Sequence, residues 1–232
     1  MKENKIWNDY LPEDMQEHWT VYECLKESED SSTFLVKETA TGILCVLKWG
    51  RNRQTEFLRN EMEIMKKMAD RKLSGIPKAY RIFEENGEVY LVREYIEGMS
   101  LAQMVLQKGG ISEAEICRIS RKICQTAEQF QNPDEPMIHR DIKPENIVVT
   151  PGGEVVFIDF GTMRSYKKDG SRDTFVVGTR GTAAPEQYGY TQTDQRTDVY
   201  AIGQTMLYMV SESYEMNQLS ECAVSRRMKK II

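Results

Sequence analysis

A chain of 232 residues with 40% hydrophobic and 29% charged residues has the composition of an ordinary soluble globular protein, long enough for one large or two small domains. Its net charge of -5 supplies no global basic field, so a nucleic-acid reader is disfavoured. Five cysteines, odd in number and without a Cys-x-x-Cys pair, suggest neither a disulfide framework nor a zinc site, and a reducing cytoplasm fits best.

The first nine residues are charged and carry no apolar signal core. Residues 20–49 predict three strands, because β-branched and aromatic residues recur around polar turns and Ala40-Thr41-Gly42 separates Thr33–Val36 from Ile43–Leu47. Between Lys26 and Gly42 there is no glycine, and the first turn runs Ser28-Glu29-Asp30-Ser31-Ser32-Thr33. A helix is expected over about 54–69, where a rotation of about 100° per residue places Glu61 amid Phe57, Leu58, Ile64, Met65 and Met68. A carboxylate centred on an apolar stripe needs a cation, and Lys48, at the end of the neighbouring strand pattern, is the natural one.

Strand patterns follow near 80–83 and 89–95, and beyond Gly98 the pattern turns helical. Ser112 and Glu115 predict a capping box, with Ile111 and Ile116 placed as a hydrophobic staple. Ile116, Ile119, Ile123, Ala127 and Phe130 then form one inward stripe, leaving Cys117 and Cys124 without chemistry. From Asp198 to Val210 the helix is apolar nearly all round, as in a helix buried at the centre of a lobe. Its most apolar run, 201–210, is too short to span a bilayer, so no membrane segment is expected in this chain.

The densest chemistry lies in His139-Arg140-Asp141-Ile142-Lys143-Pro144-Glu145-Asn146, followed by Ile158-Asp159-Phe160-Gly161. Moving a phosphoryl group requires neutralised charge and an acceptor hydroxyl held in line, hence metal ligands, a cation and a base. Asp159 and Asn146 can hold metal, Lys143 can meet phosphate, and Asp141 can accept the proton.

With Ala184-Pro185-Glu186 closing the segment, the chain resembles a protein kinase catalytic domain. The resemblance implies an α+β, two-lobed fold: a small antiparallel-sheet lobe over 20–95 and a mainly helical large lobe over 96–232, after an N-terminal extension, 1–19. It implies transfer of the γ-phosphate of ATP, with Mg, to Ser or Thr of a protein substrate, because Lys143 stands where serine/threonine-directed members carry lysine. It assigns nucleotide contacts to Lys48, Glu61, Val46, Glu94, Ile96, Val148 and Asp159. It makes Thr179 the tie between the substrate-side loop and Asp141, Asp198 a scaffold residue, and Arg140 the receiver of an activating phosphate. Thr174 is the first candidate to carry that phosphate, with Ser171, Ser165 and Tyr166 behind it.

Three departures stand against the family pattern. The glycine-free turn sets side chains, including the acidic Glu29 and Asp30, where glycines would let backbone N–H groups approach phosphate, so the alternative is a pseudokinase or nucleotide-binding regulatory module. Val46 replaces the usual alanine, and Arg93 stands beside the pocket's back wall, with its head expected at solvent or an acidic neighbour. The family continues beyond the helix opening at 224–232, so Glu186 is expected to find another partner or remain solvated, and some large-lobe apolar surface to be left uncovered unless a partner or further segment covers it.

Overall fold

The β-branched and aromatic residues that follow Glu17 build a five-stranded sheet in the order β1-β2-β3-β5-β4, antiparallel at every pairing. Its strands are β1 (Trp19–Glu27), β2 (Ser31–Glu38), β3 (Leu44–Gly50), β4 (Ala79–Glu85) and β5 (Glu88–Glu94). The computed structural model describes residues 11–109, 111–132, 134–166, 178–188 and 192–232. The chain divides into two compact units, one of Met1–Arg71 with Pro77–Tyr95 and the other of Lys72–Ile76 with Ile96–Ile232.

In the first unit a short helix, α1 (Glu13–Gln16), precedes the sheet, and α2 (Gln54–Asp70) lies between β3 and β4. Leu11, Met15 and Trp19 are buried with Phe34, Val36 and Leu47, so Leu11 and Met15, ahead of β1, belong to the sheet's core. The ring of Trp19 meets Phe83 edge-on at 5.4 Å, the favoured aromatic geometry. Leu58, Ile64, Met65 and Met68 of α2 are buried as the stripe predicts, and Glu61 is buried with them. The glycine-free turn is shorter than the sequence suggests. It comprises only Ser28–Asp30, because Ser31–Thr33 already pair with β3 as Ser31↔Gly50, Ser32↔Trp49 and Thr33↔Lys48.

The second unit carries helices α3 (Leu101–Lys108), α4 (Glu113–Glu128), α5 (Gln195–Ser211) and α6 (Met228–Ile231). Its short strands are β6 (Met99–Ser100), β7 (Met137–Ile138), β8 (Ile147–Val149), β9 (Val155–Phe157) and β10 (Arg164–Ser165), arranged as β6-β8-β9 and β10-β7. Ile116, Ile119 and Ile123 of α4, and Phe130 just beyond its end, have no exposed surface and form one core stripe, while Cys117 and Cys124 are exposed on the helix flank.

Only one half of the predicted capping box forms. Ser112 Oγ accepts from the Glu115 N–H at 3.3 Å, but the Glu115 carboxylate turns to Lys108 at 3.0 Å, a cation the local pattern does not reveal. A complete box closes α3 instead, between Ser100 and Gln103. Helix α5 buries Ala201, Ile202, Met206, Leu207 and Met209, but it is not buried all round as its composition suggested. Val199 is 67% and Tyr200 41% exposed, so part of its apolar surface reaches the outside.

Candidate active site

In the first unit Lys48 lies on β3 and Glu61 near the middle of α2, on its buried face. The lysine Nζ donates to both carboxylate oxygens, each at 2.8 Å, with side-chain exposures of 11% and 1%. A buried carboxylate placed on an apolar face is stable only because this ammonium meets it. Val46 is buried opposite Arg93 on β5.

Arg93 corrects its expected placement. It is buried, and its Nη1 donates to the carbonyl oxygen of Glu94 at 2.9 Å instead of reaching solvent. A buried guanidinium must meet acceptors, and the carbonyl at the end of its own strand is one of them. Glu94 is fixed further by its own N–H, which donates to the Lys78 carbonyl at 2.8 Å, and by its carboxylate, which accepts from the Lys78 N–H at 3.0 Å.

In the second unit the loop after β7 gathers four side chains. Lys143 Nζ lies 2.8 Å from Asp141 Oδ2 and donates to Thr179 Oγ1 at 2.7 Å. The Thr179 hydroxyl donates to Asp141 Oδ1 at 2.8 Å, and Asn146 Nδ2 donates to Asp141 Oδ2 at 2.9 Å. Asp141 therefore has neighbours at both oxygens, yet it and Lys143 keep 13% and 15% of their side-chain surface exposed. Asn146 and Asp159 flank the same end of the β8–β9 hairpin, where Ile147 pairs with Phe157 and the Ile158 N–H donates to the Asn146 carbonyl at 2.9 Å. Val148 is buried on β8, paired with Val156. Asp159 Oδ1 accepts the Gly161 N–H at 3.2 Å.

The loop's conformation is imposed from beneath. Asp198 of α5, with 2% exposure, accepts the N–H groups of His139 and Arg140, both at 2.9 Å. Arg140 has φ of 68°, a left-handed conformation that a non-glycine residue keeps only when its surroundings determine it. Its Nε donates to the Thr162 carbonyl at 2.7 Å, the Thr162 hydroxyl donates to the His139 carbonyl at 2.9 Å, and Gln187 Nε2 donates to the Arg140 carbonyl at 2.7 Å. Thr162 and Gln187 were not singled out in the sequence; their only signal is a position beside Gly161 and beside Pro185-Glu186.

On the substrate-side loop, Gly181 has φ of 100°, and a Cβ there would lie 2.8 Å from the Tyr214 ring. Tyr214 stacks in turn on Tyr208 at 5.1 Å. Of the two expectations for Glu186, the first is met: its carboxylate accepts from the Thr197 hydroxyl at 2.6 Å. Thr174 and Ser171 lie outside the described residues. Ser165 is within them, and its hydroxyl donates to Glu135 at 2.8 Å, so a phosphate there would face a carboxylate.

Burial pushes the His139 imidazole down to about 4, partly offset by Asp141 and Asp159. Burial also pushes the Asp198 carboxyl up to about 6, against the two backbone N–H groups that favour its charged form. The two groups oppose each other as pH falls. A depressed imidazole costs the fold stability between its unfolded value of 6.5 and about 4, whereas a raised carboxyl adds stability between about 6 and its unfolded value of 3.8. His139→Phe removes only the first contribution. Its stability relative to the parent should therefore rise by about 2–3 kcal/mol between about pH 7 and about pH 4.5 in paired denaturant melts, and a pH-independent difference would contradict this assignment.

A small antiparallel-sheet unit, a helical unit, and a loop that gathers Asp141, Lys143, Asn146 and Thr179 define a phosphoryl-transfer type of fold and site. Residues 20–231 match the family described as protein kinase domain, and the chain belongs to that family. It is 32% identical to serine/threonine-protein kinase D of Synechocystis sp. over 199 residues, 78% of this chain and 38% of that protein. It is 28% identical to serine/threonine-protein kinase cds1 of Schizosaccharomyces pombe over 177 residues, 72% of this chain and 37% of the relative. It is 26% identical to 3-phosphoinositide-dependent protein kinase 1 of Arabidopsis thaliana over 215 residues, 85% and 43% of the two chains. The chain thus spans less than half the length of each of these relatives.

Proposed function

We propose that this chain is a serine/threonine protein kinase domain that transfers the γ-phosphate of ATP to Ser or Thr hydroxyls of a protein substrate. The observation that carries this reading is the convergence of Lys143, Asn146 and Thr179 on the two oxygens of Asp141. Asp141 orients the acceptor hydroxyl and takes its proton as the oxygen bonds to phosphorus, and Lys143 offsets the charge on the moving phosphoryl group. Lys48, held by Glu61, meets the nucleotide phosphates, the backbone from Glu94 to Ile96 meets the adenine edge, and Val46 and Val148 pack against the ring. Asp159 and Asn146 offer side-chain oxygens at one end of the hairpin, a donor set that suits Mg with phosphate oxygens as its other ligands. When bound, that ion neutralises phosphate charge.

In this reading residues 20–95 form the small lobe and 96–232 the large lobe. A phosphate on Thr174 paired with Arg140 supplies regulation, and five free cysteines suit a reducing, cytoplasmic setting. No helix among the described residues is long and apolar enough to cross a membrane.

The test is incubation of the purified chain with labelled ATP, Mg and peptide pools whose only acceptor is Ser, Thr or Tyr. Label on Ser and Thr pools is expected; label on the Tyr pool alone would overturn the assignment of acceptor. The second reading, a nucleotide-binding module without turnover, is favoured by the glycine-free turn at Ser28–Asp30. ATP binding with no label on any pool would select it.

A further inference from the structure

We propose that Arg51 is a nucleotide-positioning residue, acting through the β1–β2 turn without touching the reacting atoms; this rests on the kinase reading above. The turn carries Glu29 and Asp30 where the sequence raised a conflict with phosphate, and Arg51 grips both residues. Its backbone N–H donates to the Asp30 carbonyl at 3.0 Å, its Nε to Asp30 Oδ1 at 3.1 Å, and its Nη2 to the Glu29 carbonyl at 2.9 Å. Asn52 Nδ2 adds a further bond to Asp30 Oδ1 at 2.8 Å. A guanidinium fork that meets a carboxylate and a carbonyl together fixes direction as well as charge, which an ammonium cannot do.

The grip is anchored at its other end. The Arg51 guanidinium lies 5.8 Å from the centre of the Trp49 ring, and Trp49 Nε1 donates to Glu88 on β5 at 2.8 Å. Tyr90 donates to the same Glu88 oxygen at 2.8 Å. The turn closes on itself through the Ser28 N–H, which donates to the Ser31 carbonyl at 2.8 Å. A line of contacts therefore runs from β5 through Trp49, the residue after Lys48 on β3, and Arg51 to the turn. Glycines would let a turn mould itself around phosphate through backbone freedom. Here the turn is held in one shape, and the charge of Asp30 is answered by a cation inside the same unit. Arg51 and Asp30 remain 45% and 43% exposed, so added salt should weaken the grip.

The test compares Arg51→Ala and Arg51→Lys with the parent chain in peptide phosphorylation, and measures ATP dissociation constants in parallel by calorimetry. Arg51→Ala should raise KM for ATP about five- to tenfold, with kcat and the peptide KM within about twofold of the parent. Arg51→Lys should keep most of that loss, because it restores charge but not the fork. Between about 50 and 500 mM salt, KM for ATP should climb more steeply in the parent than in Arg51→Ala. An ATP KM in Arg51→Ala within about twofold of the parent would overturn the proposal, leaving a purely structural tie that shows only in thermal melts. An Arg51→Lys chain equal to the parent would overturn the positioning role and leave charge alone. Should the parent label no peptide, the kinase reading fails by itself, and the ATP dissociation constants of parent and Arg51→Ala still decide the role of Arg51.

Discussion

Asp141→Asn should lower kcat about a thousandfold or more while leaving KM for ATP within about threefold of the parent. The substitution keeps the size of the side chain and an oxygen for the Thr179 hydroxyl, which now donates to Oδ1 at 2.8 Å. It removes the charge that Lys143 meets at 2.8 Å and the base that takes the acceptor's proton. The loss should therefore fall on the chemical step. Asparagine still accepts the Thr179 hydroxyl and fills the same volume, so the variant should remain folded. Initial rates with a Ser peptide, set beside thermal melts of both chains, check this. Equal rates in parent and variant would remove Asp141 from the reaction and with it the enzyme reading.

Glu61→Ala should destabilise the chain by about 3–5 kcal/mol and also raise KM for ATP more than tenfold, because it strands a buried ammonium. Lys48 gives Nζ to both oxygens of Glu61, and neither side chain is more than 11% exposed. Breaking such a pair is costly, but replacing both partners with apolar groups of similar size is not. The double variant Lys48→Met with Glu61→Met should recover most of the lost stability in urea melts. It should not recover ATP binding, since the ammonium that meets phosphate is gone. A double variant that binds ATP like the parent would make the pair a structural feature with no part in nucleotide binding.

The elements most legible in the sequence are those whose signal is local and periodic. The α2 stripe put Glu61 on the buried face by helix phase alone, and α4 buries Ile116, Ile119 and Ile123 as its spacing requires. The loop from His139 to Asn146 and the Asp159 tripeptide are legible because four chemical types stand at set intervals in one stretch of chain. Less legible are polar side chains whose partners are remote. Arg93 was expected beside the pocket's back wall, or with its head at solvent or an acidic neighbour; it is buried and donates to the Glu94 carbonyl, because a strand's alternation fixes which face a residue takes but not what covers that face. Glu115 was expected to complete its own cap and instead meets Lys108 of the preceding helix, seven residues away.

By itself, then, the amino-acid order determined which residues are candidates for the chemistry, most of the helix faces and strands that hold them, and the family to which the chain belongs. Tertiary structure decided how the acidic turn at Asp30 is tamed by Arg51 and how Asp198 holds the strained Arg140 backbone from 58 residues away. It also decided how Gln187 and Thr162 lock the loop that presents Asp141. The division has a physical cause. Periodicity and spacing record the apolar face of an element, whereas a hydrogen bond between distant side chains exists only once packing has brought both ends within about 3 Å of each other.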